Sequence, residues 1–349
     1  MATQNYIFRF WQRFIQFIQT SSIWSDNRSL NRQRRFILFM VATNLVVSAC
    51  GKNIAQTNNK SETSASKVLK PVQHALGETK VPVNPTKIVV LDLFTAEAII
   101  SLGIQPVGAS GIIINNLLHL QLDPSQIIDI GHPRRPNVEK ILALKPDLIL
   151  TSKMATKPDT YEMLSKIAPT VVFDIDSEAQ WQKLTSLCAD VLGKQAEEKK
   201  LLQDYEAKLQ KLKAQLSNEQ KPKGISVVYF YPKRIWAFGK DTFSGSILEA
   251  AELSRPRNQA KEKGIQISPE LLNEIDADAL FVLKPRSQSK IAVDIRNAVN
   301  KIKNNPLWSK LNVVKTNQVY EVDAYWYGLG YIAANLVLDD LFKYLVMNK

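Results

Sequence analysis

PNVEKILALKPDLIL, residues 136–150, is the stretch of sequence that decides the fold. Asn137 has a side-chain oxygen that can cap a helix, so we predict a helix over residues 138–144. Pro146 disfavours helical backbone at the residue before it and therefore stops this helix. The apolar run 148–150 then predicts a short buried strand. A helix that leads directly into a buried strand is the repeating unit of a parallel α/β sheet.

The same alternation extends to both sides of this stretch. Upstream, an apolar run at 88–91 precedes a helix predicted at 95–102 with Thr95 as its cap, and a strand at 171–173 closes the first lobe. Downstream, the predicted strands are 225–230, 235–238 and 280–283, and the predicted helices are 247–253, 269–275 and 332–345. We therefore predict an α/β protein with two Rossmann-like lobes joined by a single long bridging helix.

These elements divide the chain into five predicted segments. They are a signal peptide at 1–49, a flexible tether at 50–68, an N-terminal α/β lobe at 69–176, a bridging helix at 177–193 and a C-terminal α/β lobe at 194–349. The bridging helix has apolar residues at spacings of three and four, and Gly193 ends it.

The N-terminus predicts export. Arg34 and Arg35 precede an apolar run at 36–47 that is too short to span a bilayer, which is the order of a secretory signal. The run ends in VSACG, residues 47–51, which resembles the bacterial lipobox, in which the cysteine receives lipid. We therefore predict lipidation of Cys50 and a periplasmic protein anchored to the cell membrane as a lipoprotein. The alternative is an ordinary signal peptide, which also exports the protein.

Charge and composition restrict the partners. The formal net charge is +12, and it stays at +7 without residues 1–49, because that segment has six arginines and one aspartate. A basic body favours an anionic ligand or an acidic membrane surface. Its lysines are spread singly along the predicted helices, as on solvated faces, so we expect no nucleic-acid partner.

The sequence lacks recognisable patterns of enzyme chemistry. Its three histidines, His74, His119 and His132, are far apart and have no cysteine pair nearby, so we predict no zinc or manganese site. The two cysteines predict no disulfide, and Cys188 lies in an apolar helical run. Neither a glycine-rich phosphate loop nor a nucleophile motif occurs in the sequence. We therefore expect a protein that is not an enzyme and has no cofactor.

Arginines and aromatic residues in predicted loops are the remaining candidates. Arginine provides a planar, always charged donor for carboxylates, and tyrosine and tryptophan add apolar faces with a polar tip. Loops at the carboxyl ends of strands are where α/β lobes bind ligands. The predicted ligand-binding residues are Arg134, Arg135, Tyr231, Trp236, Arg255, Arg257, Tyr325, Trp326 and Tyr327. This set suits an anionic, partly apolar ligand; for each arginine alone, the alternative is a pair with a surface carboxylate.

Residues 130–150 closely resemble the signature of the periplasmic iron-siderophore and cobalamin binding proteins. They begin with Ile130 and Gly131 and continue through the stretch quoted above. Further segments that match the family are HALG at 74–77, LGI at 102–104, IAPTVV at 167–172 and PLW at 306–308. The resemblance covers about residues 70–347.

The resemblance implies a fold and a function. The fold is that of a class III periplasmic binding protein, in which one long helix, here 177–192, joins two lobes that move little on binding. The function is that of an extracytoplasmic solute-binding lipoprotein of an ABC importer. Such a protein captures an iron(III)-siderophore, of the ferric citrate or hydroxamate type, and delivers it to the permease subunits. We expect it to act as a monomer, with the iron held by the chelator.

The resemblance also implies docking residues. In the family, one glutamate on each lobe docks onto arginines of the permease, and the matching positions here are Glu139 and Glu249. We expect both glutamates to face outward. The predicted buried face is Val138, Ile141 and Leu142 on the first helix and Ile247, Leu248 and Ala251 on the second.

The identity of the ligand stays open. Hydroxamate-binding relatives have an arginine two residues after the Ile-Gly pair, where this chain has Pro133 and the arginines follow at 134 and 135. One alternative is a cobalamin or haem binding protein of the same fold, which an apolar cleft poor in arginine would favour. Another is an exported hydrolase, which requires a nucleophile and a base within hydrogen-bond reach.

Overall fold

The computed structural model describes residues 68–111, 113, 123–216, 222, 224–261, 263–285 and 290–347. The chain divides into two units, Met1–Ser66 and Lys67–Lys349, and all the described residues lie in the second. The predicted signal peptide, Cys50, residues 50–67 of the predicted tether and His119 lie outside the described residues. None of the helices in the described part of the chain has the length and apolarity that a membrane span requires.

The described residues alternate strands and helices in the predicted manner. The strands are β1 (Leu69–His74), β2 (Gly77–Pro82), β3 (Ile88–Val90), β4 (Gly108–Ala109), β5 (Ile128–Asp129), β6 (Gly131–His132), β7 (Arg135–Pro136), β8 (Leu148–Ser152), β9 (Thr170–Phe173), β10 (Ile225–Tyr231), β11 (Arg234–Ala237), β12 (Ile265–Ile267), β13 (Ala279–Leu283) and β14 (Val319–Val322). The helices are α1 (Leu93–Ser101), α2 (Val138–Leu144), α3 (Pro158–Ser165), α4 (Trp181–Leu192), α5 (Gln195–Gln215), α6 (Phe243–Ala250), α7 (Lys290–Lys303), α8 (Asn312–Lys315) and α9 (Tyr331–Phe342).

The first lobe is built on a parallel sheet with the strand order β5-β4-β3-β8-β9. The central strands β3 and β8 consist of buried residues, with Val90 opposite Leu150. Ile141 of α2 and Leu164 of α3 belong to one core cluster with residues of the sheet. The strand order reverses between β3 and β8, and the carboxyl ends of strands at such a reversal are where α/β sheets bind ligands.

Asp92 ties the carboxyl ends of β3 and β8 together. It is buried and caps α1 by accepting a hydrogen bond from Thr95 N at 3.0 Å. It also accepts from Ser152 N at 2.8 Å and from Thr151 Oγ1 at 3.1 Å. Burial raises the pKa of Asp92, although these hydrogen bonds oppose the shift. The prediction of Thr95 as the cap is therefore wrong: Thr95 lies in the first turn and donates its hydroxyl to Asp92.

The second lobe is built on a mixed sheet with the strand order β12-β11-β10-β13-β14. Strands β10, β13 and β14 are parallel, and β11 and β12 add an antiparallel edge. Its core cluster includes Val228 and Phe230 of β10 and Trp308. The helix predicted at 269–275 is wrong in type: only a 3-10 turn forms there, at Leu272–Ile275.

A hairpin of β1 and β2 lies at the start of the first lobe, and the sequence did not predict it. His74 and Gly77 pair at its turn, and Gly77 has a φ of +126°, which favours glycine. Ala75 N donates to Val172 O of β9 at 2.9 Å. The hairpin is therefore part of the first lobe, stabilised by contact with its edge strand.

Helix α4 joins the two lobes. It begins at Trp181 after a 3-10 turn at Glu178–Gln180, and Gly193, with a φ of +68°, ends it as predicted. Both α1 of the first lobe and α5 pack against it. Cys188 lies on it as a buried free thiol. The structure therefore contains the predicted bridging helix, but this helix begins later in the chain than predicted.

Helix α2 has the predicted bounds but a narrower buried face. Asn137 Oδ1 accepts from Lys140 N at 2.9 Å, which confirms the predicted cap. Ile141 is 0% exposed, whereas Leu142 is 59% exposed. The prediction that Leu142 belongs to the buried face is therefore wrong, because Ile141 and Leu144 are the positions of α2 that pack into the core cluster, and Leu142 lies to one side of them.

This contrast gives a matched pair of substitutions. Ile141→Ala should lower the free energy of unfolding by roughly 2–5 kcal/mol, because it leaves a cavity in a packed core. Leu142→Ala, at the next position of the same helix, should change it by less than about 0.5 kcal/mol. Urea unfolding followed by circular dichroism measures both, and equal effects of the two changes would contradict this description of α2.

Candidate functional site

A short hairpin of β6 and β7 follows the carboxyl end of β5. Asp129 holds it in place, since its Oδ1 accepts from Gly131 N at 2.8 Å and from Gly111 N at 2.7 Å. Gly131 has a φ of +87°. Asn137 N closes the hairpin by donating to Ile130 O at 2.7 Å. Hydrogen bonds to the backbone therefore fix the hairpin independently of the side chains at its tip.

The tip of this hairpin carries the predicted ligand residues Arg134 and Arg135. Arg134 is half-buried, and burial lowers the pKa of its guanidinium without discharging it. Arg135 is exposed and lies opposite His132 in the ladder. The structure thus groups both arginines with a histidine at the carboxyl edge of the first sheet.

His132 is not among the residues predicted from the sequence to contact the ligand, because the histidines were considered only as metal ligands. Its Nδ1 accepts a hydrogen bond from Arg134 N at 3.1 Å. Its Nε2 is buried and has no hydrogen-bond partner among the described residues. Burial, and then the charges of Arg134 and Arg135, lower the pKa of His132. The ring is therefore neutral at pH 7, with its proton on Nε2.

In the second lobe, aromatic residues cluster at the carboxyl end of β10. The rings of Tyr229 and Tyr231 lie 4.9 Å apart, and the guanidinium of Arg234 lies 4.7 Å from the Tyr231 ring centroid. Burial raises the pKa of Tyr231 above its usual value, so its hydroxyl stays neutral. Trp236 of β11 is half-buried and pairs with Tyr229 in the ladder. The predicted ligand residues Tyr231 and Trp236 thus lie at the carboxyl edge of the second sheet. Arg234, which lies beside them, was not predicted from the sequence.

Arg255 and Arg257 do not lie at the carboxyl edge, contrary to the prediction. They follow Ser254, whose carbonyl accepts from Ile225 N at 2.8 Å, so the segment lies at the amino end of β10. Arg255 donates from Nη2 to Phe238 O, and burial lowers the pKa of its enclosed guanidinium to about 10. Arg257 is exposed in a 3-10 turn. We therefore leave both out of the proposed ligand surface.

The three aromatic residues that follow β14 have different environments. Trp326 is 0% exposed, stacks on Phe281 at 4.4 Å and donates from Nε1 to Asp340 Oδ2 at 2.8 Å. Trp326 therefore belongs to the core, and its position does not support the prediction that it contacts the ligand. Tyr325 donates its hydroxyl to the same carboxylate at 2.7 Å, which holds the turn against α9. Tyr327 is half-buried, with its ring 5.7 Å from that of Phe238.

Glu178, which sequence reasoning did not single out, connects the start of α4 to the second lobe. The residue as a whole is partly exposed, but its carboxyl group is buried. That carboxyl accepts from Phe243 N, the first residue of α6, at 3.3 Å and from the hydroxyl of Tyr327. Burial raises the pKa of Glu178 to about 7, against the effect of these hydrogen bonds.

The predicted docking residues lie on two helices of different lobes. Glu139 is exposed in the first turn of α2, and Glu249 is exposed near the end of α6. Ile247 and Leu248 are buried on the other side of α6, which turns Glu249 outward as expected. The described residues contain no group of three histidine, cysteine or acidic side chains that could hold a metal ion.

Comparison with known proteins gives a family and a fold. A model of the periplasmic binding protein family matches residues 88–326. The probable siderophore-binding lipoprotein YfiY of Bacillus subtilis is 33% identical over 325 residues, which is 89% of this chain and 97% of that protein. The Fe(3+)-citrate-binding protein YfmC of the same organism is 31% identical, over 80% of this chain and 85% of that one.

Among solved structures, Staphylococcus aureus SirA complexed with staphyloferrin B has a TM-score of 0.67 and 29% identity. The match covers 79% of this chain and 98% of that one. This likeness confirms the predicted α/β fold of two lobes joined by one helix, of the class III periplasmic binding-protein type.

The raised pKa of Glu178 predicts a pH dependence of stability. A carboxyl that binds its proton more tightly when folded stabilises the protein fully below its unfolded pKa, here 4.5, and this contribution is lost as the pH rises through about 7. Glu178→Gln should therefore flatten the pH dependence of Tm between pH 4.5 and 7.5, measured by differential scanning fluorimetry. Glu162→Gln, at an exposed position of α3, is the control and should follow the wild-type curve.

Proposed function

This chain belongs to the periplasmic binding protein family, and from that premise we propose that it captures an iron(III)-siderophore outside the cytoplasm for an ABC importer. The observation that carries the proposal is the relative of 33% identity across 89% of the chain, whose name is that of a siderophore-binding lipoprotein. Relatives named for Fe(3+)-citrate and for an iron(3+)-hydroxamate support a ferric chelate of the citrate or hydroxamate type as the ligand.

The residues at the carboxyl ends of the strands in the two sheets support this ligand. Fe(III) in such a complex is held by the hard oxygens of the chelator, so the protein has to recognise an anionic, partly apolar shell around the metal. Arg134 and Arg135 provide charged donors on the first lobe. The half-buried Trp236 and Tyr327 provide apolar faces with polar tips on the second, where the buried Tyr231 packs under the guanidinium of Arg234.

The partners and the location follow the same reasoning. We propose that Glu139 and Glu249 dock onto permease subunits, because both are exposed on helices of different lobes whose opposite faces are buried in the core. Relatives named as lipoproteins support a lipid anchor at Cys50 and a position outside the cell membrane. The family is one of binding proteins rather than enzymes, which disfavours an exported hydrolase.

Cobalamin or haem binding by the same fold is less well supported. The names of the relatives compared above refer to siderophores and ferric citrate. In addition, the hairpin tip with Arg134 and Arg135 favours an anionic ligand over cobalamin, which is neutral or cationic.

Titration of the mature protein with ferric chelates tests the proposal. Tryptophan fluorescence should be quenched by submicromolar iron(III) citrate or by a citrate-containing ferric hydroxamate such as ferric schizokinen, with the metal-free chelators as controls. Arg134→Gln should weaken binding by roughly tenfold or more, because a charge-assisted hydrogen bond contributes about 1.5–3 kcal/mol. Arg257→Gln makes the same change of charge at the amino end of β10 and should change Kd by less than about twofold. Equal effects of the two changes would contradict the proposed surface.

Docking is tested separately from capture. Glu139→Gln combined with Glu249→Gln should reduce uptake of ⁵⁵Fe-labelled chelate by cells that depend on this protein, while the Kd of the purified protein stays unchanged. Glu162→Gln, another exposed glutamate of the first lobe, should leave uptake at the wild-type rate. Wild-type uptake by the double variant would exclude a role of these glutamates in docking.

A further inference from the structure

We propose that Glu97 is a positioning residue of the ligand surface: from the first lobe, its carboxyl group holds the turn of the second lobe that carries Tyr327. This aromatic turn, residues 324–330, runs from the 3-10 turn Ala324–Tyr327 to the start of α9. The inference rests on the proposed function, because Tyr327 belongs to the ligand surface proposed there. Glu97 was not predicted from the sequence to have a role.

The first half of the aromatic turn is held by the second lobe itself. Tyr325 and Trp326 both donate to Asp340 of α9, at 2.7 and 2.8 Å. Trp326 also stacks on Phe281 of β13. These contacts lie within one lobe, so they fix the start of the turn without any help from the first lobe.

The second half of the turn is held from the first lobe. Glu97 lies in the middle of α1 and is 1% exposed, and its Oε2 accepts from Leu329 N at 2.6 Å. Leu329 is itself 2% exposed, so the hydrogen bond is buried. Bulk water cannot replace an acceptor that is lost at such a place, and an unsatisfied buried N–H is costly. The contact therefore has a strong effect on where Leu329 lies.

The backbone around Gly328 transmits the position of Leu329 to Tyr327. Gly328 N donates to Tyr325 O at 2.7 Å. A Cβ at Gly328 would overlap the Cβ of Ala333 and would lie 2.7 Å from Tyr325 O and 3.4 Å from Glu97 Oε2. Since neighbouring atoms crowd this glycine so closely, a displacement of Leu329 also displaces Tyr327.

The side chain of Tyr327 has a second contact outside its own sheet. Its hydroxyl donates to Glu178, in the 3-10 turn that precedes α4, and its half-buried ring lies 5.7 Å from that of Phe238. Two carboxyl groups, one from the first lobe and one from the start of the bridging segment, thus place a ring of the second lobe. The affinity for ligand then depends on the fraction of molecules in which the aromatic turn is in place.

Two substitutions separate the acceptor from the shape of the side chain. Glu97→Gln keeps both the shape and an acceptor oxygen, whereas Glu97→Met keeps the length and removes the acceptor. We expect Glu97→Met to speed hydrogen exchange of the Leu329 amide by roughly tenfold and to raise the Kd for iron(III) citrate or ferric schizokinen by roughly fivefold or more. Glu97→Gln should stay within about twofold of the wild-type protein in both measurements.

A double-mutant cycle shows whether Glu97 acts through Tyr327. A general loss of stability would raise Kd by the same factor whether or not the tyrosine ring is present. If Glu97 positions that ring, Glu97→Met should add less than about twofold to the Kd of Tyr327→Ala, because residues that act through one another are not additive.

Asp276→Ala is the matched control. Asp276 accepts from Asn312 N at 2.8 Å and from Val313 N at 3.0 Å, which are ties between a carboxyl group and the backbone inside the second lobe. This change should lower Tm and leave both Kd and the exchange of Leu329 at wild-type values. Should Glu97→Met fail to fold, Glu97→Asp withdraws the acceptor by one carbon and should raise Kd in the same direction.

Three results would overturn the inference and leave the proposed function intact: wild-type affinity in Glu97→Met, equal losses in Glu97→Met and Glu97→Gln, or additive effects of Glu97→Met and Tyr327→Ala. Failure of the wild-type protein to bind either ferric chelate would overturn both. Faster exchange at Leu329 in Glu97→Met would then show a contact that serves the fold alone.

Discussion

The buried indole of Trp181 is the contact on which the arrangement of the two lobes depends. It is 2% exposed and packs edge-on against rings of three other helices, at 5.4 Å from Tyr205 of α5, 5.6 Å from Phe243 of α6 and 4.9 Å from Tyr331 of α9. Its Nε1 donates to Ser246 Oγ at 3.2 Å. Burial of so large a side chain fixes α4 to the second lobe, and α1 packs against α4 from the first. One helix, held on both sides, therefore positions the two sheets.

Hydrogen bonds near this helix extend the same constraint. Glu178 binds the first turn of α6, and Glu97 of α1 accepts from Leu329 N of the second lobe at 2.6 Å. Gly330 lies against α1, since a Cβ there would be at van der Waals distance, 3.4 Å, from Glu97 O. A large rotation between the lobes would have to break these contacts, so we expect the proposed ligand surface to be formed before binding. Preformed surfaces bind with less loss of entropy than surfaces that order on contact.

The proposed site combines charged donors with aromatic faces. In the proposed complex the chelator holds the iron, so the protein would contribute hydrogen-bond donors and apolar surface. The hairpin of β6 and β7 carries two guanidinium groups toward this site, and the carboxyl end of β10 carries aromatic rings with Arg234. The proposed docking glutamates lie on α2 and α6, and packing of Ile141 and Leu248 into the cores turns those glutamates outward.

The sequence by itself determined the features that depend on neighbouring residues. Asn137 and Pro146 set the bounds of α2, Gly193 ended α4, and the apolar runs marked the strands, because capping, proline sterics and alternation act within a few residues. Only the tertiary structure decided which side chains are buried and which strand end each loop joins. Trp326 became core because Phe281 comes from a distant strand, and Arg255 lies at the amino end of β10 because its segment pairs with Ile225. Burial and the placement of loops depend on contacts between residues far apart in the chain, and local patterns do not contain that information.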